Sequence, residues 1–195
     1  MKQRQTLAFG LATALGVAAL PPVPAQAGSN LIIPGQSIGQ THLGKNGSFY
    51  LKKLPHPDAS DAGMSQTRQV WVSKKESQRT DTLFIHTVSN GALNVQPFDG
   101  RTIDNIRVTS PWFHTYNGIS TGSTKAQIRR YFPNARPIDG SPTLYDDAKQ
   151  GIAFEFAQNP TAGSPCIAIM VHPPGEVHVA DKEAVNRLLS EGNHP

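Results

Sequence analysis

The stretch TLFIHTVSNGALNVQPFDGRTIDNIRVT, Thr82 to Thr109, decides how this chain is read. Thr82–Val88 carries Leu83, Phe84, Ile85 and Val88 and ends before Asn90-Gly91. Asn-Gly accepts positive φ at both central positions of a two-residue turn, so it joins antiparallel strands. Ala92–Phe98 then alternates, with Leu93 and Val95 opposite Asn94 and Gln96. Asp99-Gly100 is a second turn of the same kind, and Ile103–Thr109 sets Ile106 and Val108 against Arg107 and Thr109. Side chains alternate across a strand, so this pattern is that of half-buried strands. With Gln69–Lys74 upstream, the spacing predicts an antiparallel meander of about four strands, one face of which stays open.

Downstream, Ser110–Asn117 is an aromatic, proline-containing connection, and Asn159–Pro165 reads as a turn. Thr124 and Gln127 make a capping box before Lys125–Phe132, because the hydroxyl can accept from a free amide three residues on and Gln can reach back. Ile128, Tyr131 and Phe132 then share one helical face, and Pro133 ends the helix. Thr143–Tyr145, Gly151–Ala157 and Cys166–His172 read as strands. Ala180–Ser190 reads as a terminal helix, capped by Asp181, with Val185, Leu188 and Leu189 inward.

A weak repeat links the two halves. Gly44 stands ten residues before Leu54-Pro55, and Gly122 stands ten before Phe132-Pro133, with Lys52 matching Arg130. The fold class expected is therefore α+β: two tandem units, each a short helical segment packed on an antiparallel β-meander. The boundaries are a signal peptide at 1–27, a linker at 28–36, a first unit at 37–110, a connection at 111–117, a second unit at 118–179 and a C-terminal helix or tail at 180–195.

Ile38-Gly39 with Leu43-Gly44 and Leu54-Pro55 resembles the opening of β-lactamase-inhibitor-like repeat units, as does Gly118-Ile119 with Gly122-Ser123-Thr124. Asp99-Gly100, Ile106-Arg107-Val108, Ser110-Pro111, Phe113, Tyr145-Asp146-Asp147 and Gly151-Ile152-Ala153-Phe154 are similar to exported bacterial proteins of that type. Lys45-Asn46-Gly47 departs from the pattern at the first helix. The resemblance implies tandem α+β units that act by binding, and it carries over no catalytic residue.

Residues 1–27 have the form of a secretory signal: Lys2 and Arg4, an apolar run from Thr6 to Leu20, prolines, then Ala25-Gln26-Ala27 before the cleavage point. The run is short of the ~20 residues of a membrane span. Cleavage after Ala27 would place the protein in the periplasm or outside the cell, with no later transmembrane segment. It would also lower the net charge from +4 to +2, which weakens a nucleic-acid partner. Lys52-Lys53, Lys74-Lys75 and Arg129-Arg130 read as separate solvated faces. Cys166 is the one cysteine, so no intramolecular disulfide forms, and its apolar surroundings predict a buried, inert thiol.

Three motifs suggest chemistry. Gly118-Ile119-Ser120-Thr121-Gly122 fits the G-x-S-x-G elbow of serine hydrolases, with Asp139 or Asp146 and His172 or His178 as triad partners. It lacks a preceding strand, and the glycines and Thr124 serve as turn and cap residues. His172-Pro-Pro-Gly-Glu-Val-His178 holds possible zinc ligands, with His42, His56, His86 or His114 more remote, but its prolines forbid helical ligand spacing. Asp146-Asp147 are adjacent on an extended chain and point to opposite faces, which suits a turn better than an acid–base couple. No metal or cofactor is expected.

The expected binding residues are Trp71, Trp112, Phe113, Tyr116 and Tyr145, as aromatics on or beside the open sheet face. Trp71 is equally consistent with the core. The function expected is a non-enzymatic protein-binding module of the bacterial envelope, inhibitor-like or assembly-factor-like, whose partner is another envelope or extracellular protein. A small serine hydrolase using Ser120 and a structural envelope protein without a dedicated ligand are the alternatives.

Overall fold

The computed structural model describes residues 30–45, 51–63, 65–75, 77, 81–89, 101–176 and 182–191. The expected signal peptide, the strand Ala92–Phe98, both of its flanking turns, His178 and the cap Asp181 lie outside them. The strands are β1 Leu31–Ile33, β2 Ser37–Ile38, β3 Thr41–His42, β4 Ala59–Gly63, β5 Gln66–Val72, β6 Thr82–Ser89 and β7 Arg101–Val108. After them come β8 His114–Thr115, α1 Lys125–Tyr131, β9 Arg136–Ile138, β10 Ser141–Asp147, β11 Ile152–Phe156, β12 Cys166–Val171 and α2 Lys182–Glu191.

The α+β expectation is overturned: the protein is sheet-rich. Its eight-stranded sheet runs β4-β5-β6-β7-β12-β11-β10-β9, and a four-stranded sheet runs β3-β2-β1-β8. The helices whose bounds are described are only 7 and 10 residues long. Apolar runs such as Ile152–Phe156 are buried along their whole length, as strands covered on both faces are. Nor do the two meanders stand as separate tandem units. β7, the last strand of the first, pairs with β12, the last of the second, through Val108↔Ile169, Arg107↔Met170 and Ile106↔Val171. A meander that ended at either strand would expose a row of unpaired amides and carbonyls, and joining the two removes both edges.

Segments read as connections turn out to be strands. β1 lies within the expected linker and pairs antiparallel with β2 and parallel with β8, the latter through Leu31↔His114 and Ile32↔Thr115. β8 in turn lies within the expected 111–117 connection. β6 pairs directly with β7 from Leu83↔Val108 to Ser89↔Arg101, so no strand lies between them in the sheet. β4 and β9 escape a periodicity reading because β4 is polar and Gly-containing and β9 carries Pro137.

Two layers cover the large sheet. On one face Ile85, Ile106, Val108, Phe154, Ile169 and Val171 pack against Ile32, Ile38, Ile119, Ile128 and Phe132. That covering layer consists of the small sheet and α1. Gly44 N–H donates to the Ile103 carbonyl and Ile103 N–H to that of Lys45. Gly122 and Ser123 make the same pair of bonds with Cys166. The capping box is present, with Gln127 N–H donating to Thr124 Oγ1 at 3.2 Å and Thr124 N–H to Gln127 Oε1 at 2.8 Å. Ile128 and Phe132 are buried, but Tyr131 is 41% exposed rather than inward. Ile128 and Phe132 stand four positions apart, and the one-turn-wide contact leaves Tyr131 at its margin.

The second face is not open, which corrects the other architectural expectation. Val185 and Leu188 of α2 pack on Ala59, Val70 and Phe84, with Leu189 partly buried beside them. One tight approach locks the turns together. Gly151 has φ +71°, and a Cβ there would lie 2.3 Å from the His172 carbonyl oxygen and 2.8 Å from Gly35 Cα, so only glycine fits.

Candidate binding site

The candidate site forms where β5 ends, β6 begins and the chain leaves β7. Trp71 opposes Leu83, and Leu83 opposes Val108, so the three make one row on the face that carries the covering layer. The 110–113 turn crosses the end of that row. It is held by Thr109 N–H to the Thr82 carbonyl at 3.1 Å and Thr82 N–H to Thr109 Oγ1 at 2.7 Å. Trp71 is 8% exposed, and its Nε1–H donates to the Pro55 carbonyl at 2.7 Å, which fixes the indole plane.

The resulting cavity holds about 380 Å³ between Trp71, Leu83, Trp112 and Phe113, with Lys75, Asp81 and Ser110 contributing polar groups to its lining. That volume lies in the range of small-ligand sites and accommodates an aromatic side chain. Trp112 is 60% exposed, so most of its ring meets solvent. Asp58 steadies the adjoining strand end: Oδ2 accepts from Val72 N–H at 2.8 Å, and Oδ1 accepts from the Lys74 ammonium. Burial raises the Asp58 carboxyl, but the Lys74 and Val72 hydrogen bonds and the Lys74 and His56 charges outweigh it and hold its pKa below the ordinary value.

Of the five aromatics read as binding residues, Trp71, Trp112 and Phe113 share this cavity. Trp71 belongs to the core rather than to an open face, since the covering layer packs over it. Tyr116 is 91% exposed and does not line the cavity. Tyr145 sits elsewhere, on β10, where its hydroxyl accepts from Lys125 Nζ at 2.6 Å and its ring meets Phe156 edge-on at 5.4 Å. Leu83, Lys75 and Asp81 were not read as site residues from sequence. The β5–β6 pairing at Val72↔Thr82 is what brings them in. A second cavity of about 540 Å³ shares Val72, Asp81 and Thr82 and extends to Val185, Leu189 and Arg107.

Among the described residues, Ser120 makes no hydrogen bond to a histidine. Ser120 Oγ donates to the Thr121 carbonyl at 3.1 Å, and Gly118 and Gly122 hold positive φ at turns. Asp146 and His172 instead bond each other in the interior, Nε2 to Oδ1 at 2.9 Å. Asp147 closes the β10–β11 turn by accepting from Gln150 and Gly151 amides. Among the described residues, no three His, Cys, Asp or Glu side chains gather as a metal site. Cys166 is buried and its thiol donates to the Ala168 carbonyl at 3.0 Å. Burial pushes its pKa up to about 12.

No protein family matches the chain, and no curated protein matches it in sequence. Among solved structures there is a distant neighbour, the uncharacterized protein yfeY from Escherichia coli. It is 14% identical over 75% of this chain and 96% of that one, with a TM-score of 0.35. Neither result lends support to the β-lactamase-inhibitor-like resemblance.

Proposed function

We propose that the chain is an exported, non-enzymatic binding protein of the bacterial envelope, and that the Trp71–Trp112–Phe113 cavity receives an apolar or aromatic side chain of a partner protein. The observation that carries this reading is the cavity itself. An aromatic box opens to solvent at Trp112, with Lys75 and Asp81 among its lining residues. Buried aromatic anchors surrounded by polar groups are the usual anatomy of protein recognition sites. The signal-like residues 1–27 support placement outside the cytoplasm.

A photo-crosslinking residue at position 113, used on envelope extract, tests the proposal. A discrete adduct that disappears in the Trp112→Ala protein is the expected result. An adduct indifferent to Trp112→Ala and to Leu83→Glu would remove the cavity from consideration. Labelling of Ser120 by a fluorophosphonate probe would overturn the non-enzymatic part of the reading.

A further inference from the structure

Charge is sorted between the layers of this fold. Segments 30–57 and 110–135, whose apolar side chains cover one face of the large sheet, contain Lys45, Lys52, Lys53, Lys125, Arg129 and Arg130 and not one Asp or Glu. All 14 acidic residues of the chain lie in the remaining segments. Lys125 turns inward to Tyr145 and the Pro160 carbonyl, and the other five cations are exposed. The large exposed hydrophobic residues among those described are Trp112, Tyr116 and Tyr131, and all three belong to these same segments.

We propose that this layer is a peripheral docking surface for an anionic lipid bilayer. Tryptophan and tyrosine combine an apolar ring with a polar tip and settle at the level of lipid headgroups. Lysine and arginine reach phosphates on flexible apolar stems. Exposed Leu, Ile or Phe would be needed for deeper insertion, and none stands among the large exposed hydrophobics described. The cations flank both apolar-Pro corners, Leu54-Pro55 and Phe132-Pro133, instead of gathering in one cleft. An extended sheet of fixed negative charge complements that distribution better than a single acidic ligand does. The acidic remainder of the molecule would face away, so the field orients the protein as well as attracting it. The cations of this surface lie outside the aromatic cavity, and of its exposed aromatics only Trp112 also lines that cavity.

Vesicle flotation of the protein lacking residues 1–27 tests it, with phosphatidylcholine alone and with roughly one-third phosphatidylglycerol. The protein should float only with the anionic vesicles and should be released as salt rises. Each cation near such a surface contributes about fivefold in partition. The Lys52→Gln/Lys53→Gln/Arg129→Gln/Arg130→Gln variant should therefore lose at least about tenfold. An Arg68→Gln/Lys149→Gln/Arg187→Gln variant should stay within about twofold, because those charges belong to other segments. Tyr116→Ala/Tyr131→Ala should weaken binding without changing its salt dependence. The proposal is overturned by absence of flotation at low salt, by salt-insensitive flotation, or by a quadruple variant that retains its circular dichroism spectrum and binds like wild type. Retention on immobilised polyglutamate without flotation would assign the layer to an acidic protein instead.

Discussion

Arg107 and Glu155 form a buried ion pair across an intervening strand. Nη2 and Nε of Arg107 donate to Glu155 Oε2 at 2.6 and 3.2 Å, although β12 lies between their strands. The neighbour of Glu155 on β12 is Ala168, whose short side chain leaves room for the guanidinium to reach over. The pair thus ties the first meander to the second at their junction, with only 3% and 5% of the two side chains exposed.

Removing one partner leaves a buried charge alone. Glu155→Ala should lower stability by about 3–5 kcal/mol in urea titration. Arg107→Met/Glu155→Leu should recover most of that loss, because the pair's attraction mainly offsets the cost of taking both charges out of water. A double variant as unstable as the single would show that the pair contributes more than it costs.

The two tryptophans should separate stability from binding. Trp71→Phe removes the bond to Pro55 and leaves a small void, a loss of about 1–2 kcal/mol in thermal or urea unfolding. Trp112→Ala should change stability by less than about 0.5 kcal/mol, since its ring is largely solvated, and should abolish partner capture.

The lowered pKa of Asp58 carries a direction. A carboxyl whose folded pKa lies below its unfolded value stabilises the fold above the unfolded value, near 3.8, and loses that contribution as pH falls through the folded value. Asp58→Asn should therefore be less stable than wild type at neutral pH, by no more than about 1 kcal/mol because Lys74 is largely solvated. Acid titration of both proteins should show the difference shrinking below pH 3.8.

Cys166 should resist alkylation. With its pKa near 12 and its sulfur enclosed, iodoacetamide at pH 8 should leave the native protein unmodified and label it fully in denaturant. Rapid native labelling would mean that β12 opens readily.

Helix α1 was legible apart from the exposed Tyr131: the capping box, the buried Ile128 and the stop at Pro133 are local, settled within a few residues of chain. The strands Thr82–Ser89, Arg101–Val108, Ile152–Phe156 and Cys166–Val171 were legible for the same reason, since alternation or an apolar run marks each one. Their partners were not. β7 joins β12 across more than fifty intervening residues, and no short-range pattern encodes that choice. It follows from each meander burying its last edge against the other. The aromatic cavity was half visible, because Trp71, Trp112 and Phe113 were read as binding aromatics, whereas Leu83 and Asp81 arrive through strand pairing.

What the sequence by itself determined is the local grammar: the capping box of α1, the apolar and alternating strands, and the buried cysteine. Tertiary structure alone decided that the meanders merge into one sheet, that α2 closes the face expected to stay open, and that basic pairs far apart in the chain share one acid-free layer. Propensity and capping act over one helical turn or strand, while edge pairing, face coverage and the summing of charge depend on which distant surfaces must hide their apolar area together.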